Sequence, residues 1–540
     1  MTADNKLSVN QKIRRSEPIT MSYTLTISAL KVNQWLPIWN DVSFDGANDN
    51  RRKPEPYFLM FTIKAGLLKK LSKVYHRKAD ENRDIEIGVQ RKHDPDRSLE
   101  ISRYIKMGYP LSDYARNDKA INTLSDLQMP GWLPTAIVAN ILKPGELRGK
   151  HNLNEFDAIK LTETNSFINL QLPDAINKTE WNPEVPPIEI IDGQHRLWAF
   201  EADEKISDEF EFPVVAFYNL DITWQAYLFY TINVKPKKIN RSLAYDLYPL
   251  LRIQEWLEKA PDTAFVYKEI RAQEIVEVLW SYSDSPWKER INMLGDTAKT
   301  IGVGKEVPNI TQAAFIRNLI ATFIKTTSNK GLGGLFGAKL ADDYNSPLNW
   351  NRTQQASFII FIWKKMYSSV TDATENWVSS LRGDKDASTN TKYSEPAFFS
   401  KYSLLSTDQG VRGFLHIMND MVFMHAASLE LRNIYWQVDN EQIKEERIDP
   451  SDVDSIVIDL EKAKVSDFVQ RICGELIKFD WRVSSEPNLS PDQRRRQMVF
   501  KGSSGYKELR TQLLEKLSKS NDDEIKQVAG EIQKTLGYVS

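Results

Sequence analysis

The stretch EVPPIEIIDGQHRLWAFEADE, residues 184–204, constrains the fold most, because it asks one short segment to be a buried strand and then, with no linker, a helix. Ile188, Ile190 and Ile191 form the apolar run of a buried strand, and Leu197, Ala199 and Phe200 fall on one side of the helix expected after it. Asp192 and Gly193 stand at the corner between them. Glycine permits the tight turn, and the first turn of a new helix leaves backbone N–H groups without internal partners. Strands that feed directly into helices build mixed α/β layers, so this corner sets the class of the domain around it.

The flanking segments agree with that class. β-Branched and aromatic residues in SYTLTISALKV, PYFLMFTIK, WLPTAIVANIL (Trp132 to Leu142) and FEFPVVAFYNL predict strands. Amphipathic helices are predicted in AGLLKKLSKVY, in SLEISRYIKMGY, where Leu99, Ile101, Tyr104 and Ile105 share a side, and in DITWQAYLFYTIN. Asp221 opens that last helix, and its carboxylate is expected near the free amide protons of the first turn. Residues 143–174 read as polar hairpins. Beyond residue 250 the pattern changes to amphipathic helices separated by loops rich in Gly, Ser, Asp and Asn. The expected organisation is therefore α+β: a disordered tail over residues 1–20, a mixed α/β domain over 21–250, and a mainly helical region over 251–540, divisible into 251–440 and 441–540.

With 71 basic and 73 acidic residues, the net charge of -2 gives no global footprint for nucleic acid, so any DNA contact must come from a local patch. One patch is TINVKPKKINRS, where Asn233 precedes Lys235, Lys237, Lys238 and Arg241 between two predicted helices. It reads either as a set of phosphate contacts or as a solvated connector. A second patch gathers Arg494, Arg495 and Arg496 with Lys501, Lys507 and Arg510.

Other chemistries are excluded by composition or spacing. The one cysteine, Cys473, rules out a disulfide framework and a cysteine zinc site, and its apolar helical setting reads as core. The six histidines include no H-E-x-x-H pair. Glycines 331, 333, 334 and 337 miss the dinucleotide-loop spacing, so KGLGGLFGAKL reads as a flexible connector. Trp280, Trp287, Trp363 and Trp436 read as core aromatics. No apolar run spans a bilayer and the first twenty residues lack an apolar signal, which predicts a cytoplasmic protein with no membrane partner.

Two readings of the corner follow from its residue types. In one, Asp192 caps the helix, Gly193 turns the chain, and His195 and Arg196 are a structurally paired edge. In the other, Gly193, Gln194 and Arg196 seat a phosphate, Asp192 accepts a sugar hydroxyl or holds Mg²⁺ through water, and His195 carries a proton.

DGQHR followed by LWA resembles the DGQHR-domain proteins, a bacterial family of the ParB-like/sulfiredoxin-like superfamily that includes the DndB proteins of DNA phosphorothioation loci. GVQR (Gly88 to Arg91), ISRYI, LPTAIVANI, FYTINVKPKKINRSLAYDL, RAQEIVEVL, SPWKERI and TDQGVRGFL extend the resemblance from Tyr23 to His416. It implies a ParB/sulfiredoxin-like first domain in which the corner is the box that holds nucleotide phosphates. Phosphate contact is implied for Gly193 and Arg196, supporting roles for Asp192, Gln194 and His195, and a position near the turn for Gln90 and Arg91. A related branch carries DGQQR and is associated with NTP hydrolysis in DNA defence; here His195 stands where that branch has a second amide.

Two functions are implied. One is a DNA-associated protein of a DNA-modification or phage-defence locus with Mg²⁺-dependent NTPase or nickase activity, in which Asp192, His195 and Arg196 are catalytic and Asp192 is the metal residue. The other is a non-enzymatic DNA-binding regulator whose affinity comes from Asn233, Lys235, Lys237, Lys238 and Arg241. DNA, other proteins of the locus and a second copy of the chain are the expected partners.

Overall fold

The computed structural model describes residues 25–42, 44, 52–74, 94–109, 111–114, 128–164, 167–178, 180–200, 210–233, 240–247, 265–296, 307–326, 332–340, 344–383, 395–437 and 448–538. The chain forms two compact units, Met1–Ala115 with Gln128–Lys237, and Arg116–Leu127 with Lys238–Ser540. Gln90, Arg91, Lys235, Lys237 and Lys238 lie outside the described residues.

The first unit is mixed α/β. In chain order it contains β1 (Thr26–Asn33), β2 (Tyr57–Lys64), α1 (Ala65–Leu71), β3 (Ser72–Lys73), α2 (Pro95–Met107), α3 (Leu111–Tyr114), β4 (Ile137–Ile141), β5 (Leu147–Arg148), β6 (His151–Asn152), β7 (Lys160–Thr164), β8 (Phe167–Gln171), β9 (Ile188–Asp192), α4 (Gln194–Trp198), β10 (Glu211–Tyr218) and α5 (Ile222–Asn233). Eight strands form one sheet in the order β3-β9-β4-β10-β2-β1-β8-β7, and β5 and β6 form a separate hairpin. β10 pairs parallel with β4, and β9 pairs antiparallel with β4.

β2 shows why these segments become strands. Leu59, Phe61 and Ile63 are buried while Met60, Thr62 and Lys64 are exposed, the period of two that a half-buried strand requires. In β9, by contrast, every residue from Ile188 to Ile191 is buried, which requires cover on both faces. Glu189 is one of them, 3% exposed in an otherwise apolar run.

A buried carboxylate is tolerated only with full hydrogen bonding and a charge partner. Arg148 of the β5–β6 hairpin supplies both, with Nε donating to Oε1 at 2.5 Å and Nη2 donating to Oε2 at 2.8 Å. Asn140 of β4 and Gln225 of α5 each donate to Oε2 at 3.0 Å. Burial works against the Arg148 charge, but the hydrogen bonds and charge of Glu189 outweigh it and hold the guanidinium above its ordinary range. Asn140 Oδ1 also accepts from Leu220 N at 2.8 Å, which fixes the turn from β10 into α5.

Two local expectations are corrected. Asp221 does open α5, but through its carbonyl, which accepts from Trp224 N at 3.0 Å and Gln225 N at 3.1 Å. Its carboxylate instead receives Arg52, with Nε at 2.9 Å and Nη2 at 2.6 Å from Oδ1, because a guanidinium fork outcompetes a single amide for a buried acid. Along α2, Leu99 is 55% exposed whereas Ser98 and Ser102 are buried. The small hydroxyl of Ser98 lets α2 approach α4 and donate to the His195 carbonyl at 3.2 Å.

The second unit is helical: α6 (Arg241–Asp246), α7 (Phe265–Ser281), α8 (Gln312–Ala321), α9 (Arg352–Thr371), α10 (Asn376–Arg382), α11 (Asp408–Met424), α12 (Pro450–Lys462), α13 (Lys464–Leu476), α14 (Pro491–Met498), α15 (Gly505–Leu517) and α16 (Asp523–Leu536). Trp287 and Trp363 are fully buried in edge-on contact at 5.0 Å between ring centroids, and Cys473 is fully buried with its thiol pushed up by burial.

The glycine-rich segment departs from its expected role as a connector. Leu332, Leu335, Phe336, Ala338 and Leu340 are buried, and a Cβ on Gly334 would lie 2.4 Å from the Phe323 carbonyl oxygen, so these glycines permit close backbone packing. The second basic patch also divides. Arg494 donates to the Ser484 and Glu486 carbonyls at 2.6 and 3.1 Å, Arg510 turns inward to Asp420, and Arg495 stays exposed. Among the described residues no helix is long and apolar enough to cross a membrane.

Glu189→Ala would leave Arg148 buried without its acid and is expected to destabilise the first unit by about 3–5 kcal/mol. The double variant with Arg148→Ala should lose less than the sum of the two single losses. Chemical denaturation of the four proteins checks both statements.

Candidate phosphate-binding corner

β9 reaches the corner at Asp192, which pairs with Val138 across a register shift in β4. Gly193 follows with φ 98° and ψ 12°, left-handed backbone that favours glycine. Its carbonyl accepts from Arg196 N at 3.0 Å and Leu197 N at 3.1 Å, starting a helix of only five residues. Leu197, Ala199 and Phe200 are buried beneath the sheet, as the sequence predicts.

Arg196 folds back over this turn. Its Nη1 donates to the Thr135 carbonyl and to Thr135 Oγ1, and its Nη2 donates to Asp192 Oδ2 at 3.1 Å. A Cβ on residue 193 would lie 2.5 Å from Ile137 Cδ1 and 3.0 Å from Arg196 Nη2, so the guanidinium and the missing side chain share one space. The first reading of the corner, an arginine paired within the fold, is thus present in the geometry.

The corner also gathers groups from elsewhere in the unit. Asp192 Oδ1 accepts from Asn233 Nδ2 at 3.0 Å, joining the corner to the last residue of α5. Burial lowers the Arg196 guanidinium below its ordinary range, Asp192 opposes that, and the positive charge of Arg97 adds to it. Arg97 lies in the first turn of α2, where the helix dipole disfavours a cation. That unfavourable position was the available sequence signal for Arg97; nothing comparable marked Thr135.

Of the residues singled out from sequence, the structure brings Asp192, Gly193, Arg196 and Asn233 together. Gln194 and His195 are 5% and 8% exposed and face the interior. Arg241 opens α6 of the second unit, with its side chain exposed.

Asp192 was also the expected metal residue. Its two oxygens are engaged by an amide and a guanidinium, and among the described residues no group of three His, Cys, Asp or Glu gathers to hold a metal. A resident Mg²⁺ would have to displace Arg196, so the corner does not fit one. A phosphate reaching Arg196 would likewise have to displace Asp192 from Nη2, leaving that carboxylate to Asn233.

Gly193→Ala is expected to cost about 1–3 kcal/mol of stability, from positive φ and the crowding of Ile137 and Arg196. Thermal unfolding, with Gly145→Ala in an open loop as the comparison, measures the excess attributable to crowding.

No curated protein and no solved structure matches the chain. The family model DndB, described as DNA-sulfur modification-associated, matches residues 52–249. That interval begins at Arg52, the partner of Asp221, contains the whole corner, and runs past the basic connector. Over this part of its length, well under half of the chain, the sequence is similar to the DndB family, described as DNA-sulfur modification-associated.

Proposed function

We propose that this protein is a DNA-binding component of a DNA-sulfur modification system, acting as a regulator of such a locus by binding alone. The observation that carries the reading is the double engagement of Asp192, which holds Arg196 and Asn233 at once. The corner and the end of α5 therefore form one surface, and the residues that follow Asn233 in sequence are the basic connector, Lys235, Lys237, Lys238 and Arg241. Arg97 and Arg196 contribute fixed cations, and a backbone phosphate of DNA exchanges with Asp192 on the Arg196 fork. Tyr227 and Tyr230, 55% and 50% exposed on the same helix, offer rings for base contact. A glycine turn between strand and helix supports a ParB-like phosphate box as the ancestor of this surface, and the DNA-sulfur modification family supports DNA as the polymer bound.

The catalytic alternative, an Mg²⁺-dependent NTPase or nickase using Asp192, His195 and Arg196, has less support. His195 is buried, and neither Asp192 oxygen is open to a metal.

Fluorescence anisotropy with duplex DNA across a salt titration tests the proposal. Changing Lys237 and Lys238 together to Ala is expected to lower affinity and flatten the slope of log K against log salt by about 1.8, and Arg97→Ala to flatten it by about 0.9. Unchanged binding throughout the titration would remove DNA from the account. Phosphate release from ATP or GTP that disappears in Arg196→Ala would establish the enzyme in its place.

A further inference from the structure

The geometry points to a second anion-binding site, independent of the corner, in the helical unit: Lys325, Arg412, His416 and Arg510 are arranged to take a phosphate group. The arrangement starts from spacing. Asp408, Arg412, His416 and Asp420 recur every four residues on α11, so they form one polar stripe along a helix whose other faces are apolar core. Tyr506 and Arg510, four apart on α15, face that stripe: Tyr506 Oη donates to Asp408 Oδ2 at 2.7 Å and Arg510 Nε to Asp420 Oδ2 at 2.8 Å. Gly413 allows the approach, since a Cβ there would lie 2.5 Å from Leu509 Cδ2.

The charges along this stripe do not balance. Asp408 pairs with Arg317 at 3.2 Å, and Asp420 pairs with Arg510. That leaves Lys325 and Arg412 in no ion pair among the described residues, although both are half-buried; Asp420 acts on Lys325 only at longer range. The Arg412 guanidinium lies 4.5 Å from the centre of the Tyr506 ring, and its buried Nε has no hydrogen-bond partner among the described residues. The same holds for Nδ1 of His416, which is 8% exposed.

Burial first, and then the charges of Arg510, Lys325 and Arg412, hold the His416 imidazole well below its ordinary range, so it is neutral and keeps one N–H to donate. Burial likewise raises the Asp420 carboxyl against the pull of Arg510 and Lys325. Buried donors without acceptors are rare in folded proteins, and one species with several acceptor oxygens and negative charge answers all of them together.

The glycine-rich segment closes in on the same place. Gly334 N donates to the Lys325 carbonyl at 3.0 Å, and Asn419, next to Asp420, donates to the Gly333 carbonyl and accepts from Leu335 N, each at 2.9 Å. A Cβ on Gly334 would meet the Phe323 carbonyl and one on Gly337 the carbonyls of Ile324 and Lys325, so the glycines let this segment pack closely against the backbone that carries Lys325.

The test uses the full-length protein. Its thermal midpoint is followed while sodium phosphate is titrated against sodium chloride at matched ionic strength, with adenosine monophosphate and a short DNA duplex as separate arms. A saturable rise is expected in phosphate, and the arm whose half-saturating concentration moves most in Arg412→Gln and Lys325→Gln identifies whether the group comes free, on a nucleotide or on DNA. In Arg412→Gln and Lys325→Gln the half-saturating concentration should rise about tenfold or more, with the midpoint in chloride unchanged. In the Arg97→Ala background, which alters the corner, Arg412→Gln should still raise the half-saturating concentration. The site is overturned by no saturable rise in any arm, by responses in both glutamine variants equal to the parent, or by loss of the Arg412→Gln effect in Arg97→Ala.

Discussion

Glu189 is the residue on which the first unit turns. A carboxylate in the middle of a buried strand must collect donors from whatever surrounds it, and here the donors come from three separate segments: Arg148 of the hairpin, Asn140 of the neighbouring strand, and Gln225 of α5. Each donor carries its own segment into position. Asn140 also grips Leu220, so the direction in which α5 leaves the sheet follows from the same network. Twelve residues of helix then bring Asn233 to Asp192, three positions along the strand from Glu189. The corner is therefore anchored at both ends by one ion pair that never touches it.

What the corner offers is an arginine already desolvated, oriented and held by an internal acid. Such an arginine binds an external anion at little ordering cost, because its conformation is fixed before the ligand arrives. The acid that holds this arginine also holds Asn233, so the position of the guanidinium and the end of α5 depend on one carboxylate.

Much of this was legible in the sequence where the governing interaction is local. Alternation along Tyr57–Lys64 gives the strand, and Asp192, Gly193 and the apolar residues after them give the corner and the buried side of its helix. Long-range partners were not legible. Glu189 lies among isoleucines and its arginine 41 residues away in a polar hairpin, so nothing in either segment announces the pair. Asp221 obeyed a local capping rule on paper, yet Arg52, 169 residues distant, takes its carboxylate. The glycines near residue 334 misled for the same reason: flexibility is the ordinary fate of such residues, and only packing against the backbone of Phe323 reverses it.

The burial of Cys473 has a practical corollary. It is the chain's one thiol, it is fully enclosed, and burial suppresses the thiolate that alkylating reagents attack. A cysteine introduced on the surface would therefore be labelled selectively without first removing the native one, so a fluorophore or spin probe can be attached beside the corner in the otherwise unaltered protein.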